Sequence, residues 1–263
     1  MHPFGQLADL RAKPIPDQTR ARAHRQGFRD KIAIDRQATA FAEPLVDLRA
    51  RGIAGENYYF TARNPPYWRA ICGAIAGLYA RQSVAAKLVR INETLVDAGL
   101  ELYVFDAYRP RAVQAYFHDV WMPGELKRHR LELSGEALNA EVERYWAAPT
   151  DDPARPAPHE TGAALDLTLR WIGGEALWMG SLFDDVTEIA HRDRFEREVD
   201  QDFGLLFSDA EARANRRLLH WVMAEEGFAG HPDEWWHFSW GDQLWAALTG
   251  AAAAHYGLAE KGE

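Results

Sequence analysis

Two short stretches carry the residue types of a hydrolytic metal site. The first is His159-Glu160-Thr161-Gly162-Ala163-Ala164-Leu165-Asp166, and the second is Glu234-Trp235-Trp236-His237. Two histidines and an aspartate can hold one zinc ion, and a glutamate beside one of those ligands can serve as its base. Neither stretch means much alone. The chain has ten histidines, and a lone histidine is more often a surface or satisfied core residue than a ligand. His159 and His237 rise above that background because of their neighbours.

The spacings constrain how these side chains can meet. His159 and Asp166 are an odd number of residues apart, so on one ideal strand they face opposite ways. The site therefore requires His159 on a loop and Asp166 on the following strand, with Gly162 allowing the sharp turn between them. The helical H-E-x-x-H zinc motif is excluded, because the fifth position is Ala163. Glu234 and His237 also face apart on a strand, so Glu234 must sit just before it or a bulge must re-aim one side chain. The bland alternative makes Glu234 a solvated turn residue and His237 part of an aromatic face. Other chemistries find no support: there is no G-x-S-x-G elbow, P-loop or G-x-G-x-x-G. Cys72 reads as buried filler in an apolar helix. Asp106 beside Arg109 reads, from spacing alone, as an ion pair that fixes a turn.

The elements that must position these residues follow from periodicity. Residues 100–106 alternate as a strand, with Leu100, Leu102 and Val104 on one face. Pro110 then opens a helix with Val113, Tyr116, Phe117 and Val120 on one side, which puts Arg109 in the strand-to-helix turn. Residues 164–171 alternate again, Leu165, Leu167 and Leu169 against Asp166 and Thr168. Gly173-Gly174 turns the chain, and 176–179 is expected to return as a hairpin strand. A helix is expected over 68–98, in one piece or broken in two by Gly73 and Gly77, with Val84, Leu88, Ile91 and Leu95 as its buried stripe and Gly99 closing it. Another is expected over 131–146. Residues 45–48 read as a short strand and 147–158 as an exposed loop. Ser208-Asp209-Ala210-Glu211 has the form of a capping box, followed by a buried face of Leu218, Leu219, Val222 and Met223. Residues 234–240 read as an aromatic strand. Helices and strands mix without regular βα alternation, so the expected class is α+β, a small mainly antiparallel sheet flanked by helices.

The 263 residues include 47% hydrophobic and 26% charged side chains, ordinary for a folded chain. A net charge of −9 argues against a nucleic-acid partner. One cysteine excludes an internal disulfide. No secretory signal and no bilayer-length apolar run are visible, so no membrane association and a cytoplasmic location are expected. Residues 1–44 are polar, locally basic from Arg20 to Arg25, and read as an N-terminal extension, solvated or packed on the outside. Residues 45–263 read as one domain.

With these residues in view, the chain resembles the D-alanyl-D-alanine dipeptidases of the VanX type, within a wider group of zinc peptidases that includes D-Ala-D-Ala carboxypeptidases and a hedgehog-like fold. The family pattern S-x-H-x-x-G-x-A-x-D is matched by His159, Gly162, Ala164 and Asp166, and E-x-W-H by Glu234, Trp236 and His237. Asp106-Ala107-Tyr108-Arg109-Pro110 resembles the D-x-Y-R-P element, and Met179-Gly180-Ser181-Leu182-Phe183-Asp184 the M-G-x-x-F-D element. The resemblance implies Zn²⁺ on His159, Asp166 and His237, Glu234 as general base, Arg109 as oxyanion partner and Asp184 as receptor of the substrate ammonium. The implied substrate is a small peptide with a free N-terminus, and the implied setting is peptidoglycan metabolism. A related peptidoglycan carboxypeptidase or amidase, and a zinc module without turnover, are the competing readings. Departures fall at substrate-contact positions: Ala50 replaces a tyrosine, Ala157 a serine, and Pro158 a small polar residue. Metal and base are retained while specificity positions change, so the substrate need not be D-Ala-D-Ala. Oligomeric state is not legible.

Overall fold

The computed structural model describes residues 5–129, 132–197 and 206–259. Its centre is a five-stranded sheet in the order Ala54–Gly55, Leu100–Asp106, Ala164–Trp171, His237–Ser239, Ala229–Gly230. Only the first pairing is parallel, so the architecture is the expected α+β with a mainly antiparallel sheet. Strand Leu100–Asp106 buries every second residue. Leu100, Leu102 and Val104 join one core with Val84, Leu88, Ile91 and Leu95 of the helix Gln82–Leu95. Strand Ala164–Trp171 is buried on both faces over its first six residues, as befits the middle of a sheet.

Sheet register does the assembling. Asp166 stands opposite Asp106 on one side and His237 on the other. Directly opposed residues of antiparallel strands share a face, so Asp106, Asp166 and His237 form a row across three strands. An irregularity between Val104 and Asp106 opposes an extra residue to the central strand. Without that bulge Asp106 would fall on the other face.

Several expectations need correction. Residues 68–78 are not helical: the helix begins at Gln82, after a short strand Tyr79–Arg81 that pairs with Leu45–Asp47. Cys72 is exposed and outside any helix. The helix after Pro110 runs Arg111–Tyr116 and then widens into a π-turn over Phe117–Trp121. The added residue per turn rotates the face, which leaves Val120 exposed while Val113 and Phe117 stay buried. The helix expected over 131–146 spans Gly135–Tyr145, and Leu131 lies outside the described residues. The expected return strand over 176–179 is reduced to one bridge, Arg170 to Ala176, and a bond from Leu177 N–H to the Leu169 carbonyl. The helix Phe207–Glu225 starts before Ser208, with Leu206 as cap and no side-chain cap bond. Its first turn already closes from Ala210 N–H to the Leu206 carbonyl, so the capping box does not form. The aromatic strand shortens to His237–Ser239.

Among the described residues no helix is long and apolar enough to cross a membrane. The N-terminal helices Ala8–Ala12 and Thr19–Arg25 lie against the rest of the chain. Arg11 pairs with Glu211, and Arg22 with Asp193 and Asp233.

Candidate metal and peptidase site

His159 lies in a 3-10 turn, Pro158–Thr161, that Gly162 terminates at φ +70. Arg81 braces the turn, donating its Nε–H to the Thr161 carbonyl and its backbone N–H to the Gly162 carbonyl. The required loop before the strand is thus present. Glu234 precedes strand His237–Ser239, as one of the two sequence options required. Its loop is clamped by Arg192, whose guanidinium donates to the carbonyls of His231, Glu234 and His237. A Cβ at Gly230 would stand 1.8 Å from that guanidinium, so the close approach demands glycine.

The structure brings His159, Asp166 and His237 together, with one candidate ligand atom from each within 4.8 Å of the others. All three residues are buried. His159 Nδ1 lies 2.8 Å from the Ala107 carbonyl. A carbonyl only accepts, so Nδ1 carries a proton, and in the neutral ring Nε2 is then the lone-pair nitrogen that can ligate a metal. That nitrogen is 3.1 Å from His237 Nδ1. His237 Nε2 meets the Ser239 hydroxyl at 3.3 Å. Asp166 Oδ1 is buried without a hydrogen-bond donor, yet lies 3.1 Å from His237 Nδ1. A bare imidazole nitrogen, a second imidazole nitrogen and an unsatisfied carboxylate oxygen converging in a buried space form a donor set that fits a small cation.

Electrostatics point the same way. Burial pushes His237 down to about 4, favouring the neutral ring that a metal ligand needs. Burial works against ionisation of Asp166, but His159 and His237 outweigh it and hold the carboxyl well below the usual range. Glu234 Oε2 is 3.6 Å from His237 Nδ1. Burial first, then the charges of Asp166 and Asp184, raise Glu234 well above the ordinary carboxylate range. Such a group is inclined to take up a proton.

Arg109 reaches this centre from its strand-to-helix turn. Its Nε–H donates to Asp106 at 2.8 Å, one Nη to Gln114 at 2.9 Å and the other to Asp166 at 3.0 Å. The guanidinium also lies over Trp146, 4.6 Å from the ring centre. The Asp106–Arg109 ion pair is therefore real and extends to the candidate ligand Asp166. Asp184 is buried at φ +60, uncommon for a residue with a side chain. Its Oδ2 accepts from the Tyr59 hydroxyl at 2.9 Å and the Tyr67 hydroxyl at 2.7 Å. Burial, then Asp166, raises Asp184 to about 7 against the pull of Tyr67, Arg109 and Tyr59.

All six residues singled out in the sequence line one cavity of about 50 Å³. Sequence reasoning missed Tyr59, Tyr67, Gln114, Trp146 and Arg192. Gln114 alone carried a usable signal, at the first turn of the helix that Arg109 precedes. The others arrive from distant loops with no motif to mark them. Ala157 and Pro158 are buried beside His159, and Ala50 is exposed.

A family model described as D-ala-D-ala dipeptidase, of the M15 peptidases, matches residues 52–255. A D-alanyl-D-alanine dipeptidase of Synechocystis is 37% identical over 186 residues, covering 63% of this chain and 70% of that one. Another from Enterococcus faecium is 30% identical over 166 residues, covering 62% and 72%. Among solved structures, VanYB in complex with D-alanine-D-alanine aligns with a TM-score of 0.39 at 14% identity, over 67% of this chain and 81% of that chain.

Proposed function

Since the chain belongs to the D-Ala-D-Ala dipeptidase family of M15 peptidases, we propose that it is a zinc-dependent dipeptidase acting on a small peptide with a free N-terminus. One observation carries this reading: His159, Asp166 and His237 converge in a buried cluster with Glu234 beside them. In this reading residues 45–263 are the peptidase domain and 1–44 an extension docked on it.

His159, Asp166 and His237 hold the ion. Zinc bound there supplies Lewis acidity toward the scissile carbonyl and makes water acidic enough to ionise near neutral pH. Glu234 takes a proton from the attacking water as its oxygen bonds to the carbonyl carbon. The same carboxyl then delivers that proton to the leaving amine as the C–N bond breaks. Arg109 stabilises the negative charge that grows on the carbonyl oxygen. Asp106 and Gln114 hold its guanidinium in place for that task. Asp184, fixed by two tyrosine hydroxyls, receives the substrate ammonium.

The test joins metal analysis to hydrolysis of a stereochemically defined dipeptide panel that includes D-Ala-D-Ala. Glu234→Gln is expected to retain about one zinc per chain and lose turnover, while His159→Ala loses the metal. Wild-type activity in Glu234→Gln overturns the base assignment. A wild-type chain that binds zinc and cleaves nothing in the panel overturns the dipeptidase reading.

A further inference from the structure

A dipeptide brings a carboxylate as well as an ammonium into the site, and a buried carboxylate needs a cationic partner. Ala157 and Pro158 offer it no side-chain donor. Three arginines line the catalytic cavity: Arg25, Arg109 and Arg144. Arg109 is committed to Asp106, Gln114 and Asp166. Arg144 is committed to Asp233, Glu141 and His191. Arg25 differs. One Nη donates to the Arg144 carbonyl at 2.7 Å, the other stands 3.6 Å from Asp233, and its Nε is buried with no hydrogen-bond partner. Its side chain is 14% exposed, so a contact made there is largely shielded from water.

Arg25 also stands at the way in. A larger cleft of about 700 Å³ adjoins the catalytic cavity and shares Arg25, Phe28, Glu143 and Arg144 with it. Arg22, Arg29 and Arg155 also line that cleft, each paired with a carboxylate: Arg22 with Asp193 and Asp233, Arg29 with Glu143, and Arg155 with Asp30. Residue 25 lies outside the span 52–255 that the family shares.

We propose that Arg25 receives the carboxylate of the dipeptide substrate, so that the N-terminal helix Thr19–Arg25 completes the substrate pocket. This rests on the dipeptidase reading above. It makes Arg25 a specificity-determining residue that favours substrates ending in a free carboxylate. The guanidinium, a planar fork of donors, suits that group better than an ammonium does.

The experiment compares zinc-loaded wild type, Arg25→Ala, Arg25→Gln, Arg25→Lys and Arg155→Ala on the dipeptide of the panel that wild type cleaves best and on its C-terminal amide, following release of the N-terminal residue. Wild type is expected to prefer the free acid. Arg25→Ala and Arg25→Gln are expected to raise KM for the acid by about ten- to a hundred-fold. Any effect of the lost charge on Glu234 reaches acid and amide alike, so the acid-to-amide ratio of kcat/KM isolates carboxylate recognition. Arg25→Lys recovers part of that ratio. Arg155→Ala removes a charge from the adjoining cleft without touching the catalytic cavity or the helix Thr19–Arg25, and should leave the ratio as it is. Zinc content and thermal unfolding show which variants fold; the glutamine and lysine variants carry the test if alanine does not. Hydrolysis by wild type with an unchanged ratio in every folded Arg25 variant overturns the assignment alone. Absence of any hydrolysis across the dipeptide panel by zinc-loaded wild type overturns the dipeptidase reading and this inference together.

Discussion

Arg109 is the side chain in which fold and proposed chemistry are hardest to separate. One guanidinium bridges Asp106, Gln114 and Asp166, and lies over Trp146. A lysine keeps the charge but cannot present three donors in one plane. Arg109→Lys is therefore expected to lower kcat by about a hundred-fold or more even at saturating zinc. Because Asp166 loses an orienting partner, zinc affinity should also fall by about ten-fold or more. Steady-state kinetics across a zinc titration separates the two effects, and wild-type kcat in the lysine variant would remove Arg109 from the reaction. At this scale the convergence of His159, Asp166, Glu234 and His237 was legible because each sits in a local pattern of fixed spacing, whereas spacing alone read Arg109 as a turn-fixing ion pair and only the family resemblance brought it to the site. Tyr59 and Tyr67 were not. They reach Asp184 from more than a hundred residues away in sequence, and nothing near either one marks a hydroxyl aimed at a buried carboxylate.

The elements show which sequence signals survive packing. Strands Leu100–Asp106 and Ala164–Trp171 were readable at their observed ends, the first because one alternating face meets the core, the second because leucines alternate with Asp166 and Thr168 although both faces are buried. Residues 68–78 misled because apolar content was mistaken for helix. Gly73 takes φ +85, Ile71 N–H bonds to the Tyr59 carbonyl, and the next segment pairs with Leu45–Asp47. Those are non-local partners that periodicity cannot see. The turn that delivers His159 gives an element-scale test. Gly162 sits at φ +70, and a Cβ there would meet Leu45 Cδ2 at 2.3 Å. Gly162→Ala should destabilise the chain by about 1–3 kcal/mol, measured by urea unfolding, and weaken zinc binding by displacing His159. Adding Leu45→Ala relieves the overlap and not the backbone strain, so the double variant should lose less than the sum of the singles. Strict additivity would show that the contact with Leu45 contributes nothing.

At the scale of the whole molecule, Asp233 ties three distant parts of the chain together beside Glu234. Arg22 donates to it at 2.7 Å from the N-terminal helix, and Arg144 at 3.1 Å from Gly135–Tyr145. Burial alone would raise this carboxyl, but the bonds from Arg144 and Arg22 outweigh burial and bring it down to about 2, from an ordinary 3.8. A folded value below the unfolded one means that the ionised group stabilises the fold above the unfolded pKa. That contribution is lost as pH falls from near 4 through 2. It amounts to about 1 kcal/mol lost by pH 3 and about 2 kcal/mol by pH 2. Other carboxylates titrate over the same range, so the wild-type curve alone cannot isolate it. Asp233→Asn can: its stability deficit, from urea midpoints at each pH, should be largest at neutral pH and shrink as the medium is acidified toward pH 3. A deficit that stays constant with pH would mean that Asp233 acts through shape and hydrogen bonding, with its charge contributing nothing. The same cluster fixes the helix that carries Arg25. The neutral-pH variant should therefore also show a raised KM for the free-acid dipeptide, linking the docking of the N-terminal segment to the substrate pocket it borders.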